Sequence, residues 1–161
     1  MTRVWLRFVT ESGFSSWVIR TATWSDWSHV DFVLANGNFL GARFSGGVQS
    51  RSHDYLTPSK FCYASVQVAD IRKVLGWATG QIGKPYDWRA ILGFGFRRDW
   101  QDPGQWFCSE LVAEAFRKMD APIVDDQSYR VTPQDDYESV RVQKEPIGSV
   151  PSWIRAMGHS F

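Results

Sequence analysis

The opening residues, Met1-Thr2-Arg3-Val4-Trp5-Leu6-Arg7-Phe8-Val9, alternate charged and apolar side chains, a period of two that predicts a strand. Glu11-Ser12-Gly13 breaks that pattern, and Ser15 or Ser16 is placed to cap a short helix through Trp17, Val18, Ile19 and Arg20. After a polar and aromatic connector, Trp24-Ser25-Asp26-Trp27-Ser28, two apolar runs flank Ala35-Asn36-Gly37-Asn38. Asn-Gly between such runs predicts a hairpin, with His29 opening its first arm and Phe39-Leu40-Gly41-Ala42-Arg43 forming its second. Gly46-Gly47-Val48 predicts a further turn, and Phe61-Cys62-Tyr63-Ala64-Ser65-Val66-Gln67-Val68 a strand buried on at least one face.

The period then changes. Ile71, Val74, Leu75 and Ala78 fall at helical spacing across residues 69–82, with Gly80 and Gly83 near the end. Gly83-Lys84-Pro85-Tyr86-Asp87-Trp88 reads as a turn, and a short apolar segment follows over residues 90–96. From Cys108 onward, Leu111, Val112, Ala115, Phe116 and Met119 mark one face of an amphipathic helix that should stop before Pro122. Asp102-Pro103-Gly104 is a turn signal just upstream, so the cysteine sits where a loop becomes a helix. Thr132-Pro133 offers an N-cap with proline at the first helical position, and residues 141–161 read as strand and coil.

At 161 residues the chain is long enough for one domain, 1–161, burying on the order of 70% of its unfolded surface. Eighteen basic and 17 acidic residues in no long run leave no electrostatic footprint for nucleic acid. No stretch approaches a membrane span, and the N-terminus lacks the uninterrupted apolar core of a signal peptide, so the expected setting is cytoplasmic. Nine tryptophans are many for this length; they serve either as core or as the walls of an apolar cleft. Cys62 and Cys108 lack ligand spacing to each other or to histidine, so neither a metal site nor another cofactor is expected, although one bridge between them is compatible with the sequence.

A helix N-terminus stabilises a thiolate through its unpaired N–H groups and dipole, which makes Cys108 a candidate nucleophile as well as a candidate core residue. A nucleophilic cysteine needs a base. Of the three histidines, His159 lies in the C-terminal tail and His53 in the polar loop Arg51-Ser52-His53-Asp54-Tyr55, whereas His29 begins a strand that a hairpin holds in place.

Trp27-Ser28-His29-Val30-Asp31-Phe32-Val33-Leu34, with the Asn36-Gly37 turn and Gly46-Gly47-Val48, resembles the histidine-bearing hairpin of the NlpC superfamily of papain-like cysteine peptidases. Gly83-Lys84-Pro85-Tyr86-Asp87-Trp88 and Phe107-Cys108-Ser109-Glu110-Leu111-Val112 resemble that superfamily's segments leading to and containing its nucleophile. The histidine precedes the cysteine here, the order of the circularly permuted branch, which includes permuted amidases and, more distantly, the lecithin:retinol acyltransferase group. The resemblance covers residues 17–119 and implies an α+β papain-like core, an antiparallel, barrel-like sheet packed against helices.

It also implies that Cys108 is the nucleophile, that His29 is its base, and that the backbone N–H of Cys108 faces the developing oxyanion. Tyr86 matches a tyrosine close to the nucleophile in relatives, and Trp106, Ser109 and Trp27 complete the candidate substrate-binding set. Relatives carry a polar residue on the second hairpin strand that orients the imidazole; here that position is Gly41. Asp31, two residues from His29 on one strand face, is the substitute, but ~7 Å along the chain is far for a direct bond, so a water or a carbonyl is expected between them.

The expected activity is a cysteine hydrolase cleaving an amide or ester, with a small peptide, amide or acyl-lipid as substrate; cell-wall peptide is the usual class by resemblance. The aromatic load from Tyr86 to Cys108 (Trp88, Phe94, Phe96, Trp100, Trp106, Phe107) suits an acyl-chain thioesterase or acyltransferase, and Gly41 suits a binding member without turnover. On the hydrolase reading Cys108 should label faster than Cys62, with a pKa below ~8.5.

Overall fold

The computed structural model describes residues 2–89, 104–125 and 131–157. The short apolar segment and the aromatic side chains expected of Phe94, Phe96 and Trp100 lie outside these, as does His159.

Six strands form one antiparallel sheet in the order β4-β3-β2-β1-β5-β6. They are β1 (Thr2–Thr10), β2 (His29–Val33), β3 (Phe39–Arg43), β4 (Gly47–Arg51), β5 (Lys60–Val68) and β6 (Val142–Lys144). The sheet is open, not barrel-like: β4 and the three-residue β6 are its two edges and do not meet. The hairpin between β2 and β3 turns at Gly37, whose φ of 83° lies in the left-handed region that favours glycine. Gly46-Gly47 makes the expected turn, but the chain is already paired from Gly47, giving the additional strand β4.

Period-two alternation sorts the side chains between two faces. Leu6, Phe8, Val30, Phe32, Leu40 and Ala42 point to one face and form the main core with helices α2 (Ile71–Thr79) and α3 (Cys108–Arg117). Val33, Phe39 and Tyr63 point to the other, where Ile154 of the short helix α5 (Ser152–Ala156) and Tyr55 of the 52–59 loop cover them. Residues 141–157 were expected as strand and coil; α5 forms because Ile154 is fully buried there and Trp153 packs on Trp5 at 5.3 Å between ring centroids.

Helix α1 (Phe14–Thr23) is not capped by Ser15 or Ser16: Gly13 is its N-cap, and the Ser16 hydroxyl accepts from the Glu11 backbone N–H at 3.3 Å. Thr132 caps helix α4 (Pro133–Glu138), as the sequence predicts. Both cysteines are free and buried.

Candidate active site

His29, Asp31, Gly41 and Arg43 lie at one end of the sheet, on the face opposite the main core. Here the β2–β3 ladder is registered only at Phe32↔Leu40 and Val33↔Phe39, so the backbone of residues 29–31 is released from pairing on that side. Asp31 is fully buried and its carboxylate turns back along its own strand to reach the ring: His29 Nε2 to Asp31 Oδ1 is 2.7 Å. The expected intervening water or carbonyl is unnecessary. The reason is Gly41. A Cβ at that position would lie 2.2 Å from Asp31 Oδ1, so the missing side chain is the space the carboxylate occupies.

The second oxygen of Asp31 is held as tightly. Tyr55 donates its hydroxyl to Oδ2 at 2.6 Å, and Arg7 donates from Nη2 at 3.2 Å. Arg7 is fully buried, its guanidinium 3.4 Å from the centroid of the Phe39 ring. Tyr55 in turn accepts from Arg43 at 3.3 Å, and Arg43 pairs with Glu11 at 2.6 Å. Burial alone would push the Asp31 carboxyl up, but the His29 ring, Arg7 and the Tyr55 hydroxyl hold it well below the usual carboxylate range. Burial lowers His29 below its ordinary value, with Asp31 opposing and Arg43 assisting.

Cys108 is the first residue of α3, with Phe107 as N-cap and Glu110 accepting from the Phe107 backbone N–H at 3.1 Å. Its thiol is hydrogen-bonded to the backbone of Val30, the residue after His29, at the opened stretch of β2. Val30 thus links the strand and the helix that the sequence singled out, but the side chains of His29 and Cys108 share no hydrogen bond among the described residues: His29 turns to Asp31 on one face of the sheet, and Cys108 belongs to the core on the other. The expected resident thiolate is absent: burial pushes the Cys108 thiol up to about 12, with the Asp31 and Asp136 carboxyls adding and backbone bonds to Val30 and Ser109 opposing. A helix N-terminus favours the anion only while water or a cation supports it, and this thiol is fully buried. Asp136 on α4 is also fully buried, with neither carboxyl oxygen hydrogen-bonded among the described residues, and burial keeps it protonated well above the usual range.

The candidate substrate-binding residues fall into two groups. Tyr86 is buried beside the helix that Cys108 opens, its ring 5.8 Å from Phe107, and its hydroxyl is pushed up by burial and by Cys108. Trp106 bridges to Tyr86 through the backbone and spends its indole N–H on Gln81 at 3.2 Å. Ser109 donates its hydroxyl to the Val131 carbonyl at 2.6 Å, and Trp27 packs among Phe8 and Tyr137 in the core. These last three hold the scaffold together. Phe107 is likewise core, whereas Trp88 is half exposed.

Two residues bonded to Asp31 were not singled out from the sequence. Arg7 left a signal: its neighbours of the same parity, Trp5 and Val9, are apolar, which marks a charge on a strand face that is otherwise buried. Tyr55 left none, since a tyrosine in a polar loop has no period to place it.

No family model matches the chain, and no curated protein matches it. Among solved structures it is similar to the metalloprotein YiiX from Escherichia coli O157:H7, of the DUF1105 group. The TM-score is 0.68 at 19% identity, over 89% of this chain and 96% of the other. The architecture is thus α+β with an open antiparallel sheet packed against helices, consistent with a papain-like fold. "Metalloprotein" describes that neighbour; among the described residues of this chain no group of three or more His, Cys, Asp or Glu side chains converges to hold a metal.

Proposed function

We propose that the chain is a cysteine hydrolase of the permuted NlpC type that cleaves an amide or ester, with Cys108 as nucleophile and His29 as base. The observation that carries this reading is the bond from His29 Nε2 to Asp31 Oδ1 at 2.7 Å. An ionised carboxylate only accepts, so Nε2 carries the proton and Nδ1 keeps its lone pair, the tautomer a base requires. The helix opened by Cys108 meets the same strand end, at Val30.

Because the thiol is raised and the imidazole lowered, the resting pair is neutral. The proton leaves sulfur as the bond to carbon forms, in general-base fashion, instead of from a standing ion pair. Sulfur attacks the carbonyl carbon, Nδ1 of His29 takes the thiol proton, and the carbonyl electron pair moves to oxygen, facing the Cys108 backbone N–H at the helix end. Collapse expels the amine or alcohol, which takes the proton from His29 and leaves a thioester on Cys108. Water, deprotonated by the same ring, then releases the acid. Asp31 stabilises the imidazolium in both halves.

One observation favours acyl chains over peptide as the substrate. Phe44 is 77% exposed and stands edge-on to Tyr86, at 6.3 Å between ring centroids, so an aromatic rim adjoins the buried tyrosine beside Cys108. Hydrolysis of 4-nitrophenyl acetate and decanoate tests both points. Turnover should vanish in Cys108→Ala and His29→Ala and survive in Cys62→Ala, and a preference for decanoate that falls in Phe44→Ser would support the acyl substrate. Equal rates in wild type and Cys108→Ala would overturn the hydrolase reading.

A further inference from the structure

Arg7 is costly to keep. It is fully buried, and neither Nε nor Nη1 meets a partner at hydrogen-bond geometry among the described residues, so its charge is met by the bond to Asp31, by the Phe39 and Tyr55 rings and by the nearby Tyr63 hydroxyl. An apolar side chain would fill a purely structural position at lower cost. What Arg7 contributes is a positive charge on the far side of the carboxylate from the imidazole.

We propose that Arg7 is a positioning residue that keeps His29 a free base at rest, by neutralising Asp31 from the side opposite the ring; this rests on His29 being the base. The reason lies in the charge balance of the buried cluster. A histidine bonded to a lone buried carboxylate is drawn into a standing imidazolium–carboxylate pair, and an imidazolium accepts no proton from a thiol. With Arg7 already answering the carboxylate, a protonated ring would add a net positive charge to a buried site. His29 then protonates only when a negative charge, on sulfur or on the substrate oxygen, forms beside it.

Arg43 also opposes protonation of His29, but Arg7 is the cation bonded to the carboxylate that the ring contacts. Arg43 on β3 is answered by Glu11 at 2.6 Å, and Arg51 on β4 gives its guanidinium to the carbonyls of Gly41, Ser45, Gly47 and Gln49. Tyr55 and Tyr63, which act on Asp31 from the 52–59 loop and from β5, are held neutral by burial, and the Cys108 thiol of α3 is neutral as well. Arg7 is the one arginine of the three that is ion-paired to Asp31, with the neutral Tyr63 hydroxyl as its other side-chain neighbour.

The test is the titration of the His29 ring by imidazole NMR, with the resonance assigned by its loss in His29→Gln. Wild-type His29 should titrate below 6.5 in spite of its carboxylate partner. Arg7→Gln keeps an N–H donor without the charge, and Arg7→Met removes both; each should raise the midpoint by about one pH unit or more. Arg7→Lys, which restores the charge, should return it towards wild type, a rescue that a packing role would not give. An unchanged midpoint in Arg7→Gln or Arg7→Met with a native amide spectrum would overturn the proposal. Should neither variant fold, the wild-type arm decides, since a midpoint above 7 would overturn it without any substitution. The readout needs no turnover, so failure to hydrolyse esters would count against the hydrolase and leave the charge balance standing.

Discussion

Gly41 and Asp31 act as one unit. A methyl group at 41 would meet Asp31 Oδ1 at 2.2 Å, and the carboxylate can retreat only by leaving His29, Tyr55 or Arg7. Gly41→Ala is therefore expected to destabilise by about 1–3 kcal/mol and to cut ester hydrolysis at least ~10-fold. The penalty should shrink in an Asp31→Ala background, where only the Val30 carbonyl oxygen, at 3.3 Å, still crowds the methyl; a double-mutant cycle of urea midpoints reads the coupling. Additive effects would mean that the glycine serves only the strand. Asp31→Asn should lower hydrolysis at least ~100-fold, because an amide can present its N–H to Nε2 and so invert the tautomer. The same buried geometry sets the thiol's behaviour: iodoacetamide at neutral pH should alkylate Cys108 slowly in the native protein, and a rate typical of a free thiolate would contradict a thiol raised to about 12.

At the scale of the element, α3 is built around a buried acid. Glu110 caps the helix through the Phe107 N–H, yet its Oε1 has no hydrogen-bond partner among the described residues, and burial pushes the carboxyl up to about 8. Between 4.5 and 8 the folded chain binds more protons at this site than the unfolded one, so Glu110 takes stability away as pH rises through that window. Glu110→Gln keeps an acceptor for Phe107 and removes the ionisation. It should match wild type near pH 4 and exceed it at pH 9 by on the order of 3 kcal/mol, measured from urea midpoints. The amphipathic period from Leu111 to Phe116 made α3 legible in the sequence, and Asn36-Gly37 did the same for the hairpin, because both depend on local spacing and turn chemistry. The start of β4 at Gly47 was not legible, since two glycines in sequence signal a turn whether or not pairing begins on the second. The turn of α5 was hidden for a different reason: it exists through Ile154 and Trp153 packing on distant strands, which no local period records.

Across the whole molecule, the sheet separates two tasks. Its main-core face carries α2 and α3 and supplies most of the buried apolar surface, while the opposite face holds the Arg7–Asp31–His29 cluster at one end. The chain order of His29 before Cys108 and the candidacy of both were readable from motifs; that Asp31 reaches the ring was not, since strand geometry alone puts ~7 Å between alternate residues and only the vacancy at Gly41 lets the carboxylate turn. Among the described residues no helix is long and apolar enough to cross a membrane.

The buried cluster couples global stability to acid. His29 is lowered from 6.5, so the unfolded chain binds more protons as pH falls through 6.5 towards the folded value, and stability is lost over that interval. Asp31, lowered from 3.8, adds a second loss as pH falls through and below that value. Glu110 and Asp136 act in the opposite sense over pH 7 to 5, so the His29 contribution is read as a difference: by urea midpoints His29→Gln should gain stability relative to wild type as pH falls from 7 to 5, while keeping the loss below pH 4. A slope unchanged by His29→Gln would place the titrating group elsewhere.

In the proposed mechanism a buried, protonated thiol at Cys108 becomes nucleophilic only as His29 takes its proton during attack. Peptide mass spectrometry after brief exposure to 4-nitrophenyl acetate and acid quenching addresses it directly. The expected product is a hydroxylamine-labile acetyl group on Cys108, absent in His29→Ala, with Cys62 unmodified. Acetylation of Cys62 and Cys108 alike, or of Cys108 at the same rate without His29, would contradict it.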